Sequence, residues 1–393
     1  MDSEVSAKRR EFLPFSPPSI GEEEIREVVD TLRSGWITTG PKTQRFEEEF
    51  ARKIGASSAL ALNSCTAALH TALVVAGIGP GDEVITTPLT FAASVNVLEH
   101  VGAQPVLVDV EPDTLNIDPR AVEAAITSRT KAILPVHYSG HPVDLDPIQA
   151  LAAAHNLTII EDAAHALPAL YKGRRIGSGG NPVAFSFYAT KNLATGEGGM
   201  LAATPEFLDR ARVMSLHGMS RDAWKRYDQR GTWAYDVGVP GFKYNMSDIQ
   251  AALGLAQLAK LDRLQDRRRH IVAAYGGAFA DLADRLQLPV ERPTVEHAWH
   301  LYVIRIHADA LRIDRDTFIR ELKKRNIGSS VHFTPIHMHS YYRDKYKYHP
   351  EDFPISYDSF RRMISLPLSP KMADQDVADV IEAVRDIVQR HRT

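Results

Sequence analysis

Lys191 is the residue whose type and surroundings first indicate chemistry. An apolar segment over residues 183–187 leads into it, and the glycine-rich turn 196–199 follows it. Lysine is rarely buried without a partner or a function, and partial burial favours Schiff-base chemistry because it lowers the pKa of the amine. Taken alone, the pattern fits a lysine that extends into solvent even better.

Residues 63–68, with the sequence NSCTAA, form a second candidate. They follow an apolar segment and open a helical one. The N–H groups and the positive dipole end of a helix start bind anions, so this segment suits a phosphate group. A simple helix cap by Ser64 or Thr66 is an equally supported alternative.

Two further segments place polar groups behind apolar runs. Asp162 suits a metal ligand, a general base or a partner for a cationic ring nitrogen, although structural capping is at least as frequent for such an aspartate. Residues 241–250 contain Asn245 and Ser247, either of which would cap the helix that follows. An anion site, a carboxylate and a lysine in one chain are far more specific together than any of them is alone.

The elements that must position these groups alternate between strands and helices from about residue 59 to residue 203. This order predicts an α/β domain with a mainly parallel sheet, and chemistry is expected where its strands end. The predicted strands are 59–62, 83–86, 105–109, 132–136, 158–161, 183–187 and 200–203. The predicted helices are 66–75, 92–100, 119–126 and 147–155.

The remainder of the chain predicts a smaller α/β domain. A helical pattern runs over residues 247–282, and its charged run 266–269 is typical of a solvated helix face. The later pattern predicts a strand at 301–306, a helix at 314–324, a strand near 329–333 and a closing helix at 374–390. We therefore predict a large domain over residues 12–255 and a small domain over 256–393.

Composition excludes several classes of protein. The 393 residues carry a formal charge of −3, without the basic surplus of a nucleic-acid-binding protein. Cys65 is the only cysteine, so no internal disulfide can form. Residues 1–12 lack the apolar core of a secretory signal, and the most apolar stretch, 59–75, is too polar for a membrane span. A cytoplasmic location is the simplest expectation.

Several motifs in order resemble the nucleotide-sugar aminotransferases of the DegT/DnrJ/EryC1/StrS family. They are EDAAHA at 161–166, SFYATKN at 186–192 with GEGG at 196–199, and KYNMSDIQAA at 243–252. The resemblance extends from SGWITTGPK at 34–42 to HFTPIHMHSYY at 332–342 and SLPLSP at 365–370. It implies fold type I and a pyridoxal-phosphate cofactor.

The resemblance also implies roles for residues at the cofactor. Lys191 would form the Schiff base, Asp162 would pair with the pyridinium nitrogen, and His165 would contact the phenolic oxygen. A charged partner keeps that nitrogen protonated, so the ring can take electron density from a cleaved Cα–H bond. The other positions that match cofactor contacts are Thr66, Ala67 and Ser186 at the phosphate and Phe91 on the ring face.

Further implications concern assembly and substrate. Asn245 matches a residue that reaches the phosphate in the neighbouring subunit, which implies a homodimer with shared sites; many relatives instead carry that asparagine at the position of Lys243. Expected substrate contacts are Trp36, Thr38, Thr39 and His332. A metal site is not expected, because no carboxylate or cysteine is spaced to complete one, and His332 in an ordinary polar loop is the alternative to its substrate role.

Two residues depart from the family pattern. Tyr188 stands where relatives usually have histidine, and a tyrosine cannot become cationic at neutral pH. Phe91 stands where members that aminate a UDP-linked 4-keto sugar with L-glutamate have tryptophan. Such a substrate pair is expected here, with room for a different sugar, for example in lipopolysaccharide or antibiotic sugar biosynthesis.

Three other functions would each require a sequence feature that this chain lacks. A sugar dehydratase of the same fold would carry histidine in place of Lys191. A non-catalytic, cofactor-bound regulator would need a DNA- or partner-binding appendage, which the first dozen residues are too short to supply. A nicotinamide dehydrogenase would show a G-x-G-x-x-G motif after an N-terminal strand, and the glycines near Gly177 lack that spacing. Transamination is therefore preferred.

Overall fold

The computed structural model describes residues 9–219, 235–307 and 309–393, so residues 1–8 of the predicted non-signal segment lie outside the described residues. None of the helices in these ranges is long and apolar enough to cross a membrane. The α-helices there are α1 (Glu22–Ser34), α2 (Pro41–Ile54), α3 (Cys65–Val75), α4 (Ala93–His100), α5 (Pro119–Ala125), α6 (Leu145–His155), α7 (Pro205–Ser215), α8 (Asp248–Ala259), α9 (Leu261–Phe279), α10 (Arg315–Lys324), α11 (Ser340–Tyr346), α12 (Pro354–Arg362) and α13 (Asp374–His391). The strands are β1 (Ser58–Leu62), β2 (Glu83–Thr86), β3 (Gln104–Leu107), β4 (Thr130–Ile133), β5 (Thr158–Ile159), β6 (Glu161–Asp162), β7 (Leu170–Tyr171), β8 (Arg174–Arg175), β9 (Val183–Ser186), β10 (Gly199–Ala203), β11 (Leu286–Gln287), β12 (Val295–Glu296), β13 (Tyr302–Ile306) and β14 (Met363–Leu366).

A mainly parallel sheet forms the centre of the larger part of the chain. Strands β3, β2, β4 and β5 lie side by side and parallel. Strand β6 continues β5 beyond Ile160 and pairs in parallel with β9. A bridge between Val136 and Asp162 joins it to the segment that follows β4. Strand β10 runs antiparallel to both of its neighbours, β9 and β1. The predicted α/β fold is confirmed.

The strands of this sheet are apolar on both faces because helices cover both. In β1, Ala59 and Ala61 pack into one core with α2, whereas Leu60 and Leu62 pack into another core with α3. Side chains alternate in direction along a strand, so burial on both faces requires an unbroken apolar run. That run is the signal from which the sequence predicts β1.

Capping residues place the helix starts close behind the strands. The hydroxyl of Ser64 accepts the N–H of Ala67 at the start of α3, and the side chains of Asp118 and Thr204 cap α5 and α7 in the same way. A side-chain oxygen at this position satisfies a backbone donor that has no acceptor within the helix. The turn between β1 and α3 is therefore short and well defined.

A further core lies in the C-terminal part of the chain. The sheet of β11, β13 and β14 packs on α9 and α10 through residues such as Tyr275, Ile304 and Phe318. Leu13 also packs into this core and bridges to Ile327, so the N-terminal segment contacts the C-terminal part. The domain division between residues 255 and 256 stays a prediction.

The helical pattern over residues 247–282 folds as two helices. The backbone leaves helical geometry at Lys260, where φ is −107°. The Lys260 ammonium forms an ion pair with the buried carboxylate of Glu24 at 2.6 Å. The pair joins the break between α8 and α9 to helix α1.

Two other local predictions are wrong. The charged run 266–269 is not wholly solvated, because Arg268 is buried and its guanidinium donates to the carbonyl oxygen of Leu368 at 3.0 Å. Residues 329–333 form no strand; Ser330 makes a single bridge to Ser365 in β14. In both places the chain satisfies its polar groups through contacts between distant segments, which a local pattern does not contain.

Asp248 links the N-terminal segment to the start of α8. Its carboxylate is buried and accepts the backbone N–H groups of Gly40 (2.8 Å), Lys42 (3.0 Å) and Thr43 (2.9 Å), as well as the Thr43 hydroxyl (2.6 Å). These donors belong to the first turn of α2. The aspartate therefore caps one helix from the first residue of another.

We expect Asp248→Ala to lower the free energy of unfolding by about 3 kcal/mol, because several buried donors lose their acceptor together. Urea denaturation of the cofactor-free protein measures this change. Asp262→Ala is the matched control, since its ion pair with Lys53 is largely exposed and contributes less than about 1 kcal/mol. Equal losses in the two variants would contradict the capping role.

Candidate active site

A cavity of about 320 Å³ opens where the strands of the large sheet end. This volume lies within the usual range for small-molecule sites. The parallel strands run in one direction, so the residues that follow them meet at one edge of the sheet. The predicted site residues that line the cavity are Thr66, Phe91, Asp162, His165, Ser186, Lys191 and His332.

One wall of the cavity is the turn between β1 and α3. No hydrogen bond occupies the N–H groups of Cys65 and Thr66 within the described residues, whereas the next N–H, of Ala67, is taken by Ser64. A Cβ at Gly199 would lie 2.4 Å from the carbonyl carbon of Ser64, so only glycine lets β10 approach this turn. The turn thus presents unused donors at a helix start, as an anion site requires.

Asp162 forms the floor of the cavity. Its side chain is buried, and one carboxylate oxygen accepts the N–H of Ala164 at 3.0 Å. The other oxygen accepts the hydroxyl of Ser94 at 2.7 Å. A buried carboxylate with a donor on each oxygen is held in one orientation, as a partner for a cationic group must be.

Lys191 reaches the same cavity from the loop behind β9. Burial lowers the pKa of its amine from 10.5 to about 8, against the opposing influence of Cys65 and Asp162. The backbone N–H of Lys191 donates to the carbonyl oxygen of Tyr188 at 2.8 Å, which closes a turn at the end of the strand. The amine is therefore neutral in a substantial fraction of molecules near physiological pH.

His165 and His300 lie against each other with their ring centroids 4.4 Å apart. Burial lowers the pKa of both rings well below the ordinary value, so both are neutral. Nδ1 of His165 accepts the backbone N–H of Ser139 at 3.2 Å, which leaves its proton on Nε2. This nitrogen is the donor that His165 can offer in the cavity.

His300 carries the opposite tautomer. The amide nitrogen of Asn192 donates to the carbonyl oxygens of Leu167 (2.9 Å) and Ala298 (2.8 Å), so its amide oxygen is an acceptor. That oxygen lies 3.3 Å from Nδ1 of His300, which must therefore carry the proton. Two neighbouring rings in the cavity wall thus present a donor, on His165, and an acceptor, on His300.

His332 brings the C-terminal part of the chain to the cavity. Its Nδ1 lies 2.8 Å from the Ser365 hydroxyl, and its ring stacks on Phe15 of the N-terminal segment at 5.3 Å. The neighbouring Phe333 faces the exposed ring of Phe91 at 5.8 Å. The entrance is therefore lined by aromatic rings from two distant segments.

A second group of predicted residues lies outside this cavity. The Asn245 side-chain amide donates to the Thr39 hydroxyl at 2.6 Å, and the Trp36 indole donates to the Thr39 carbonyl oxygen at 3.0 Å. The carbonyl oxygen of Thr38 accepts the N–H of Asp248 at 2.9 Å. These residues meet one another rather than Lys191, and their predicted roles stay predictions.

Ala67 also lies outside the cavity lining, because it is buried in the first turn of α3. Lys243, the alternative to Asn245, is exposed. Tyr188 lines the cavity and is half-exposed, so the departure from the family pattern falls directly at the site. In the described ranges, no group of three or more His, Cys, Asp or Glu side chains is arranged to hold a metal ion.

The donor set suits pyridoxal phosphate. A phosphate group needs a helix start with unused N–H groups, which the turn at Cys65 and Thr66 presents next to the Ser186 hydroxyl. A pyridinium nitrogen needs a buried carboxylate, and an aldehyde needs an amine of lowered pKa. Asp162 and Lys191 have these properties. The residues present therefore fit the cofactor that the resemblance implies.

Several residues that line the cavity were not predicted as site residues: Thr90, Ser94, Glu197, His300 and Phe333. Thr90 lies three residues before α4 begins and Ser94 lies in its first turn, so helical spacing gave no signal for this pair. His300 carried none. It comes from a distant segment just before β13, and only the packing of that segment against the loop after β9 brings it to the cavity.

Comparison with known proteins gives consistent matches over the whole chain. The model of the DegT/DnrJ/EryC1/StrS aminotransferase family matches residues 18–385. The spore coat polysaccharide biosynthesis protein SpsC of Bacillus subtilis is 54% identical over 384 residues, which cover 97% of this chain and 98% of SpsC.

Solved structures of sugar aminotransferases also match this chain. The PLP form of the putative sugar aminotransferase Spr1654 from Streptococcus pneumoniae is 38% identical, with a TM-score of 0.90, and the match covers 97% of this chain and 100% of that one. PseC from Helicobacter pylori, an aminotransferase involved in the biosynthesis of pseudoaminic acid, is 29% identical with a TM-score of 0.88. The match covers 97% of this chain and 100% of PseC. Proteins that share the fold at this level thus include a PLP-bound aminotransferase.

The lowered pKa of Lys191 predicts the pH dependence of its reactivity. Only the neutral amine attacks an aldehyde, so we expect the rate of adduct formation with pyridoxal phosphate to rise with pH and level off above about 8. Stopped-flow absorbance on the cofactor-free protein measures this rate, and Lys191→Ala removes the signal. A rate that still rises about tenfold between pH 8 and pH 9 would show an ordinary lysine.

Proposed function

Because this chain belongs to the DegT/DnrJ/EryC1/StrS aminotransferase family and is a pyridoxal-phosphate-dependent sugar aminotransferase, we propose that it aminates a nucleotide-linked keto sugar. The proposed acceptor is a UDP-linked 4-keto sugar, and the proposed amino donor is L-glutamate, which leaves as 2-oxoglutarate. The observation that carries the proposal is the meeting of Lys191, Asp162 and the turn at Thr66 in one cavity.

Each part of that cavity has a proposed role toward the cofactor. The N–H groups of Cys65 and Thr66 and the Ser186 hydroxyl would hold the phosphate. Asp162 would pair with the ring nitrogen, and Lys191 would carry the cofactor covalently. Phe91 would cover the ring face, and His165 would donate from Nε2 to the phenolic oxygen. When bound, the cofactor supplies an electron sink for the electrons of the cleaved Cα–H bond.

Lys191 moves the proton in this proposal. After the amino group of the donor has replaced Lys191 on the cofactor, the freed amine, with its pKa near 8, would take a proton from the donor's Cα at neutral pH and, as an ammonium, would deliver it to a carbon of the cofactor. Asp162 holds the positive charge at the ring nitrogen during this transfer.

Two observations support a sugar as the amino acceptor: the products named for relatives, and the exposed aromatic residues at the entrance of the cavity. SpsC is named for the biosynthesis of spore coat polysaccharide, and PseC is described as an aminotransferase involved in the biosynthesis of pseudoaminic acid. Phe91 is 62% exposed and Tyr188 is 47% exposed, so two aromatic faces are available for a large ligand. His332, which comes from the C-terminal part of the chain, lines the same cavity and is the proposed substrate contact. Glutamate as donor is supported by the family resemblance alone.

We also propose that the active unit is a homodimer with shared sites. Trp36 and Asn245 both bond to Thr39, Thr38 bonds to Asp248, and none of the four lines the cavity that contains Lys191 in the same chain. If these residues bind cofactor or substrate, they bind it in the partner's cavity. A cytoplasmic location remains part of the proposal. The dehydratase alternative is disfavoured because position 191 carries lysine.

A substrate panel tests the reaction. The enzyme is first converted to its amine form with L-glutamate, and keto-sugar nucleotides are then offered one at a time; we expect a UDP-linked 4-keto sugar to restore the yellow colour of the loaded enzyme.

Lys191→Ala should lower turnover by about 1,000-fold or more while leaving the fold intact, since the proton-transfer group is lost. Borohydride reduction and peptide mapping should place the label on Lys191. A label on another lysine, or restoration only by free sugars, would refute the assignment.

Hybrid dimers test the shared site. Lys191→Ala and Asn245→Ala chains, mixed and re-dimerised, should regain about one quarter of wild-type activity, because half of the dimers are hybrids with one intact cavity. Mixing Lys191→Ala with Asp162→Ala is the control, since both residues line the same chain's cavity and no hybrid has an intact one. Recovery in the control, or none in the test pair, would refute the shared site.

A further inference from the structure

A chain of hydroxyl groups stands behind the Asp162 carboxylate. The Thr90 and Ser94 hydroxyl oxygens lie 2.7 Å apart, and the Ser94 hydroxyl lies 2.7 Å from Oδ2 of Asp162. All three residues are at most 4% exposed. The three side chains are mostly covered by protein, and these hydrogen bonds are made within the protein.

The direction of these hydrogen bonds follows from the number of protons. An ionised carboxylate has none to donate, so Ser94 donates its only hydroxyl proton to Asp162. The proton between the two hydroxyls must then come from Thr90. The bonds run from Thr90 to Ser94 to Asp162, and each donor polarises the next.

A purely structural use of these hydroxyls is a helix cap, because both lie at the start of α4. That helix has no side-chain cap: Ala92 is its N-cap residue, and the Ser94 N–H donates to the Phe91 carbonyl oxygen instead. The Ser94 hydroxyl bonds to Asp162 and the Thr90 hydroxyl bonds to Ser94, so neither serves a backbone N–H of the helix start. A serine or threonine at a helix start that leaves the end uncapped has another partner to serve.

We infer that Ser94, supported by Thr90, is a positioning residue for the transamination: it fixes the orientation of the Asp162 carboxylate and stabilises its negative charge. With Oδ1 held by the Ala164 N–H and Oδ2 by Ser94, the carboxylate cannot rotate. Its remaining lone pairs are held for the ring nitrogen of the cofactor. The inference rests on the proposed role of Asp162.

The test uses a readout at the ring nitrogen. Wild type and Ser94→Ala are reconstituted with pyridoxal phosphate that carries ¹⁵N in the ring, and the ¹⁵N chemical shift reports how much positive charge the nitrogen holds. We expect Ser94→Ala to move the shift toward that of the neutral ring and to slow the half-reaction with glutamate about tenfold. Thr90→Val, one bond further away, should produce a smaller change of the same sign. Ser94→Thr retains the hydroxyl and should restore the wild-type shift.

Thr86→Val is the matched control. Thr86 is also buried, and its hydroxyl donates to the Leu134 carbonyl oxygen at 2.7 Å, with no link to Asp162. It should lower thermal stability as Ser94→Ala does, yet leave the ¹⁵N shift unchanged. Equal shifts in Ser94→Ala and Thr86→Val, or no shift in Ser94→Ala, would overturn the inference.

Asp162→Ala separates the two levels of the argument. If Asp162→Ala moves the ¹⁵N shift and Ser94→Ala does not, the positioning role fails and the proposed function stands. If Asp162→Ala leaves the shift at its wild-type value, the proposed pairing of Asp162 with the ring nitrogen fails. Affinity for pyridoxal phosphate, measured in parallel, shows that every variant is fully loaded.

Discussion

The burial of a lysine amine and an aspartate carboxylate in one cavity is the constraint on which the rest of the structure depends. A charge taken out of water is costly unless it is paired and hydrogen-bonded, or loses its proton. Ser94 and Ala164 donate hydrogen bonds to the Asp162 carboxylate, whereas burial lowers the pKa of the Lys191 amine to about 8. The same cost that would destabilise an ordinary core prepares these two groups for opposite roles.

The remaining cavity walls follow from satisfying buried polar groups. Ser139 and Asn192 set opposite tautomers on His165 and His300, and Gly199 admits β10 against the turn that carries the unused N–H groups. None of these contacts involves the reacting groups themselves, yet each determines which atom faces the cavity. A site held in this way need not reorganise during the reaction, which is where much of enzymatic rate enhancement originates.

The site also depends on parts of the chain that do not belong to the large sheet. Phe15 and Ser365 hold His332 from the N-terminal segment and from β14. Asp248 ties the segment containing Thr38 and Thr39 to the start of α8, beside Asn245. The first arrangement completes the cavity within the chain. The second gathers predicted binding residues on a separate surface, which is the geometry that a shared site requires.

The sequence by itself determined the fold class, most of the strands and helices, and several residues that line the cavity, among them Thr66, Asp162 and Lys191. It could do so because strands buried on both faces leave continuous apolar runs, and because chemistry placed at strand ends leaves its residues in a fixed local order. It did not determine Arg268, His300 or the bond from Ser94 to Asp162. Those contacts join segments far apart in the chain, and only the tertiary packing decides which distant donor meets which buried acceptor.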